Sequence, residues 1–64
     1  RNTYDQILED GKRLIHNGEA SPEVFLKVLD ILRTTKNKQM LETIIYKAMD
    51  QFPGQREIFK TYLP

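Results

Sequence analysis

Two short segments of this chain recur in the same order about 33 residues further on. Gln6-Ile7-Leu8-Glu9 is matched by Gln39-Met40-Leu41-Glu42, and Glu23-Val24-Phe25 is matched by Glu57-Ile58-Phe59, at offsets of 33 and 34 residues. Such periods are typical of helical arrays, in which each helix pair buries its apolar face against a neighbouring pair. The matches predict a duplicated helix-loop-helix unit. Chance produces such matches too, because Leu, Glu and Gln are common on amphipathic helices.

The chain length allows one small domain, because 64 residues bury only about 60% of their unfolded surface. A core of this size contributes about 3 to 5 kcal/mol of net stability. Since the chain contains no Cys, no disulfide or thiolate zinc site adds to it, and an intracellular setting is expected, either nuclear or cytoplasmic. The chain begins at Arg1 and ends at Tyr62-Leu63-Pro64, where an apolar helix has barely begun, so we expect residues 1–64 to be a segment of a larger protein.

The charge balance selects no partner. Ten basic and nine acidic residues give a formal net charge of +1, which describes a mixed surface rather than a basic footprint for DNA or anionic lipid. The longest apolar runs span two or three residues, as at Ile44-Ile45, and are far too short to cross a bilayer. We therefore expect no membrane partner.

Apolar residues at three- and four-residue spacing predict a first amphipathic helix. Thr3 is expected to cap it, with Gln6 completing a capping box, and Asn17-Gly18 to end it. Its apolar stripe comprises Tyr4, Ile7, Leu8, Gly11, Leu14 and Ile15. A helical glycine costs about 1 kcal/mol relative to alanine, so Gly11 within this stripe predicts the close approach of a second helix.

The second helix is predicted to begin at Ser21-Pro22-Glu23, which combines a capping hydroxyl, a proline suited to the first helical position and an acid near the positive end of the dipole. Arg33 near its end suits the negative end of the dipole. Its apolar stripe comprises Phe25, Val28, Leu29 and Leu32, with Ile31 at the margin. Residues 34–37 form the next turn, with Thr35 or Asn37 as the following cap.

The third helix is predicted from Lys38 to about Gln51 and, as the most apolar segment, is expected to be central. Pro53-Gly54 ends it, and a short helix from about Gln55 follows. The core residues expected from these helices are Met40, Leu41, Ile44, Ile45, Ala48, Met49, Phe52, Ile58, Phe59, Tyr62 and Leu63. No segment alternates as a strand does, and short connections place neighbouring helices antiparallel. The predicted fold is all-α: a small, helical-repeat-like bundle of three to four antiparallel helices without a sheet.

Residues that perform chemistry are scarce. A nucleophile needs an activating base and a metal needs three or four clustered ligands, whereas this chain has one His and no Cys. His16 lies in the last predicted turn of the first helix, where an imidazole commonly contacts free carbonyls. The glycines are isolated, so no phosphate-binding loop is visible. We predict no enzymatic activity, no metal and no cofactor.

Two groups of residues are candidate partner-binding sites. Arg33, Lys36 and Lys38 form the densest basic stretch, which could contact a phosphate or an acidic peptide, but no aromatic side chain is interleaved for base stacking. Nucleic-acid binding is therefore the least favoured function. The second group, Ile31, Tyr46 and Lys47, combines an aliphatic, an aromatic and a cationic side chain, as protein-binding anchor sites do. Packing against an adjacent helix is the alternative for this second group.

Residues 25–59 resemble the 34-residue tetratricopeptide repeat and its half-a-TPR relatives. The residues that carry the resemblance are Phe25, Leu32, Ile45, Ala48, Pro53 and Phe59. The sequence departs from the pattern at Leu29 and Leu41, where Gly and Ala are usual and allow a tight hairpin. The resemblance implies a scaffold whose concave face binds an extended peptide or another helix.

About the first fifty residues resemble the N-terminal helical-bundle domain of TFIIS-type transcription elongation factors. The residues that carry this second resemblance are Leu29, Leu32, Met40, Leu41, Thr43, Ile44 and Ala48. The chain lacks the basic, Trp-containing final helix common in that family. Membership would imply a nuclear protein that binds short linear motifs. A closed bundle of this kind should be autonomous, whereas a repeat fragment should leave Phe59, Tyr62 and Leu63 partly exposed and tend to associate.

These patterns together predict a non-catalytic interaction module. It would bind a peptide or helix of another protein in an apolar groove between antiparallel helices, with a polar and basic rim. The alternative is a dimerisation or assembly segment that completes its core with a second copy. Melting separates the two, because only a self-assembling segment gains stability with its own concentration.

Overall fold

The computed structural model describes residues 3–63, which form four α-helices and a 3₁₀ turn. The elements are α1 (Thr3–His16), α2 (Pro22–Arg33), α3 (Lys38–Gln51), the 3₁₀ turn Pro53–Gln55 and α4 (Arg56–Lys60). Each α-helix packs against the next one in the chain, and no strand occurs in the described range. The predicted all-α bundle is confirmed. Over residues 3–63, none of the helices has the length and apolar character that a membrane span requires.

α1 ends because Gly18 adopts a left-handed conformation, with φ of 74°. Among the described residues, Gly18 alone has a positive φ. The Gly18 N–H donates to the Ile15 carbonyl at 3.1 Å, and the Glu19 N–H donates to the Leu14 carbonyl at 2.9 Å. This pair of bonds is a Schellman motif, which satisfies carbonyls that the helix leaves free. The predicted end of α1 is confirmed. At its start, Thr3 is itself helical rather than the cap in front of the helix.

Side-chain caps set the starts of α2 and α3. Ser21 Oγ accepts a hydrogen bond from the Val24 N–H at 3.4 Å, and Pro22 is the first residue of α2, as predicted. Asn37 Oδ1 accepts from the Met40 N–H at 3.1 Å, so Asn37 rather than Thr35 caps α3. The Thr35 hydroxyl instead donates to the Leu32 carbonyl at 2.9 Å, which closes the end of α2.

α2 and α3 supply most of the core, with four buried apolar residues each. Phe25, Val28 and Leu29 have no exposed surface, and the Phe25 ring lies 5.7 Å from the Phe52 ring and 6.1 Å from the Phe59 ring, both edge-on. The buried apolar side chains are Ile15, Ala20, Phe25, Val28, Leu29, Leu32, Leu41, Ile44, Ile45, Ala48 and Phe59. The prediction that α3 is central agrees with its contacts, because α3 packs against α2, the 3₁₀ turn and α4, whereas α2 packs against α1 and α3 and receives the Phe52 and Phe59 rings at Phe25.

Burial at the two ends of the chain differs from prediction. Tyr4, on the predicted apolar stripe of the first helix, is 66% exposed, and Ile58, which was expected in the core, is 49% exposed. With only five residues, α4 can turn one apolar side chain fully inward, and Phe59 takes that position. Tyr62 and Leu63 are half-buried. The C-terminal residues therefore fit neither expectation fully. Phe59 is buried, as expected for an autonomous bundle, whereas Tyr62 and Leu63 are partly exposed, as expected for a repeat fragment.

Candidate functional site

An open groove runs between α1 and α2. It consists of two depressions of about 180 and 260 Å³ that share Ile7 and Lys27, and we call it the α1–α2 groove. Its lining residues are Tyr4, Ile7, Asp10, Gly11 and Leu14 on α1, and Val24, Lys27, Val28, Asp30 and Ile31 on α2. The molecule measures only 16 Å along its shortest axis. Because packed helix axes lie about 8 to 10 Å apart, this dimension has room for two layers of helices. The helices are therefore stacked only two layers deep.

Gly11 determines how closely the two helices approach. A Cβ atom built on Gly11 would overlap Val28 Cγ2 and would lie 3.7 Å from Val24 Cγ1. The close approach predicted from Gly11 is therefore present, and its partner is Val28. Around this contact the groove is lined by half-buried aliphatic side chains, namely Ile7, Leu14, Val24 and Ile31.

Two of the three charged side chains in the groove are compensated within the chain. Asp10 Oδ1 accepts hydrogen bonds from Arg13 at 2.6 Å and from the Gln6 amide at 3.2 Å. Asp30 Oδ1 accepts from the Tyr62 hydroxyl at 2.8 Å and lies 3.8 Å from Arg33 Nη1. Lys27 is exposed and forms no ion pair within residues 3–63.

A side-chain cluster links the C-terminal residues to the end of α2, and it consists of Asp30, Arg33 and Tyr62. The Arg33 guanidinium carbon lies 4.8 Å from the centroid of the Tyr62 ring, within cation–π range. Burial raises the pKa of the Tyr62 phenol above its ordinary value, and the hydrogen bond and negative charge of Asp30 raise it further, against a smaller lowering by Arg33. Sequence patterns missed this cluster because Asp30 and Tyr62 are 32 residues apart, beyond any helical spacing.

Replacing Tyr62 with phenylalanine should remove less than about 1 kcal/mol of stability at neutral pH, since the lost hydrogen bond is exposed. Folding raises the pKa of Tyr62 above that of the unfolded chain, which is about 10. The contribution of the Tyr62 phenol to folding stability is therefore fully present below about pH 10 and is lost as the pH rises through the pKa of the folded state. The stability difference between native chain and Tyr62→Phe should therefore shrink above about pH 10 in urea titrations run at several pH values. Tyr46→Phe serves as the control. A difference that stays constant with pH would contradict the Tyr62–Asp30 bond.

The six predicted partner-binding residues do not share one surface. Ile31 lines the α1–α2 groove, and Arg33 belongs to the Asp30–Tyr62 cluster. Lys36 is exposed in the turn between α2 and α3, and Lys38 is exposed at the start of α3. Tyr46, which is 56% exposed, and Lys47 lie further along α3, and neither lines the α1–α2 groove. The packing alternative does not hold for Tyr46, because more than half of its surface is open.

A third depression, about 310 Å³ and separate from the α1–α2 groove, lies between Lys12 of α1 and residues 37–44. Only Met40 and Ile44 provide its apolar lining; its other residues are Lys12, Asn37, Gln39 and Thr43. The depression therefore has fewer apolar contacts to offer than the α1–α2 groove.

The described part of the chain holds no cluster of possible metal ligands. His16 is exposed at the end of α1, and no three His, Asp or Glu side chains of residues 3–63 are placed to hold a metal ion. No polar or charged side chain in this range is buried.

Comparison with protein-family models, curated proteins and solved structures found no match to this chain. The resemblances to tetratricopeptide-type repeats and to the TFIIS-type bundle remain predictions that rest on the residues quoted for them. Fold and groove together define a small all-α domain with an open interhelical groove.

Proposed function

We propose that this chain is a non-catalytic, intracellular interaction module that binds a helix or peptide of another protein in the α1–α2 groove. The observation that carries the proposal is an open groove with an apolar lining on a domain that already has a closed core of its own. A groove of this kind suits the mode in which an amphipathic helix lays its apolar face between two helices.

The spacing of the lining residues supports this binding mode. Ile7 and Leu14 are seven residues apart on α1, and Val24 and Ile31 are seven residues apart on α2. At 1.5 Å per residue, each pair spans about 10 Å, or two helical turns. Apolar residues at positions i, i+3 or i+4, and i+7 of a bound helix span the same length. The groove therefore fits a ligand with two or three apolar anchors.

The proposal is tested by capture of proteins from cell extract on the immobilised chain, followed by binding measurements on each captured protein. Ile31→Asp places a charge in the groove without opening the core, and we expect it to weaken binding at least about tenfold because the carboxylate would be desolvated by the ligand. Ile58→Asp is the matched control, since Ile58 is another partly exposed isoleucine and lies on α4. Circular dichroism should show that both variants remain folded.

Each other outcome points to a different surface. Binding that tolerates Ile31→Asp but is lost in Tyr46→Ala, or in Lys36→Glu with Lys38→Glu, would move the site to α3 or the basic turn and contradict the proposal. Capture of the chain alone, together with melting that rises with concentration, would favour the assembly segment instead.

A further inference from the structure

Lys27 is the uncompensated charge of the α1–α2 groove. Asp10 is neutralised by Arg13, and Asp30 is held by Arg33 and the Tyr62 hydroxyl, whereas Lys27 has no ion pair or hydrogen bond from its side chain within residues 3–63. Among the charges that line the groove, this leaves one ammonium group to be matched by whatever binds there.

Lys27 lies where a ligand that fills the groove would contact it. Lys27 lines both depressions of the groove and lies one helical turn from Val24 on one side and one turn from Ile31 on the other. A ligand whose apolar side chains rest on Val24 and Ile31 must therefore pass over Lys27. Covering the ammonium without a partner would cost desolvation energy, and a facing carboxylate removes most of this cost.

We propose that the partner of the α1–α2 groove is an acidic amphipathic helix, which carries an Asp or Glu one turn from each of two apolar anchors. This inference rests on the proposed function and specifies the partner's chemistry. The anchors would pack on Val24 and Ile31, and the carboxylate would pair with Lys27. A basic helix fits less well, because it would bring cations close to Lys27, Arg13 and Arg33 while both aspartates are already paired.

The same charge argues against a second copy of the chain in the groove. In a two-fold symmetric dimer the same surface patch faces itself, so residues near its centre meet their own counterparts. Because Lys27 is shared by the two depressions, a groove-to-groove dimer would place two ammonium groups near one another. An acidic helix from another protein meets no such repulsion.

The test is selection of a displayed library of random 16-residue peptides on the folded chain, followed by affinity measurements on the synthesised peptides. We expect enrichment of peptides with an Asp or Glu three or four residues from an apolar side chain. Lys27→Glu should weaken their binding at least about tenfold. Changing the peptide's acid to Lys should restore binding to the Lys27→Glu variant. Arg56→Glu is the matched control, because it makes the same change in net charge on α4, outside the groove.

The variants separate this inference from the proposed function. Peptides that lose binding in Ile31→Asp but tolerate Lys27→Glu would overturn the acidic partner and leave groove binding intact. If no peptide is selected, or if those selected are insensitive to both groove variants, both proposals fail. Self-association of the chain that Ile31→Asp abolishes would overturn the acidic partner in favour of a second copy.

Discussion

Replacing Phe59 by alanine is expected to remove about 3 to 5 kcal/mol of stability, which is the cost typical of truncating a fully buried phenylalanine. Phe59 has no exposed surface and lies edge-on to Phe25, and it is the one buried side chain supplied by the 3₁₀ turn and α4. Because a domain of this size has only about 3 to 5 kcal/mol of net stability, the variant should be largely unfolded at 25 °C. Thermal unfolding followed by circular dichroism measures this directly.

The neighbouring residue provides a control on the same helix. Ile58 is 49% exposed, so Ile58→Ala should change the free energy of unfolding by less than about 1 kcal/mol. If Phe59→Ala melts like the native chain, then the Phe59 ring does not pack against Phe25 in solution, and the C-terminal residues would be available to a partner.

Replacing Gly11 by leucine should have the second-largest effect, a loss of about 2 kcal/mol or more, even though leucine gains nearly 1 kcal/mol in helix propensity. A side chain at Gly11 would overlap Val28 Cγ2. Val28 cannot readily move aside, because it is fully buried and a valine in a helix strongly prefers one rotamer. Urea unfolding measures the loss, and an unchanged slope would show that the variant still unfolds as one unit.

Two further variants identify the cause of this loss. Gly54 has no atom within 4 Å of the position a Cβ would take, so Gly54→Ala should be close to neutral. Shortening Val28 to alanine should make a side chain at position 11 less costly, and a double-mutant cycle with Gly11→Ala measures this coupling. If Gly11→Leu melts like the native chain, α1 and α2 do not approach as closely as the structure shows.

The sequence predicted those features of the fold that depend on residues close together in the chain. Ser21 and Gly18 act through hydrogen bonds that reach at most five residues, so the start of α2 and the end of α1 could be predicted. The packing of the Phe52 and Phe59 rings on Phe25 of α2 could not be predicted in this way, because these residues lie far apart in the chain.

The candidate site was less predictable than the fold. Ile31 was expected as a binding residue because it lies at the margin of the apolar stripe of α2, and it lines the groove. Lys27 was overlooked because a lone lysine on an amphipathic helix normally faces solvent. The proposed role of Lys27 depends on the partners of Asp10 and Asp30, and the Asp30 carboxylate accepts a hydrogen bond from Tyr62, a residue from the far end of the chain.

The contact between Gly11 and Val28 has a consequence for recognition as well as for packing. Part of the groove is formed by the α1 backbone at Gly11, which has no side chain to rearrange, against Val28, whose side chain strongly prefers one rotamer in a helix. If a partner binds there as proposed, it would lose less binding energy to ordering the groove, and the shape of the groove would discriminate between ligands rather than adapt to them. Substitutions at Gly11 should change stability and ligand preference together, because the same backbone approach determines both.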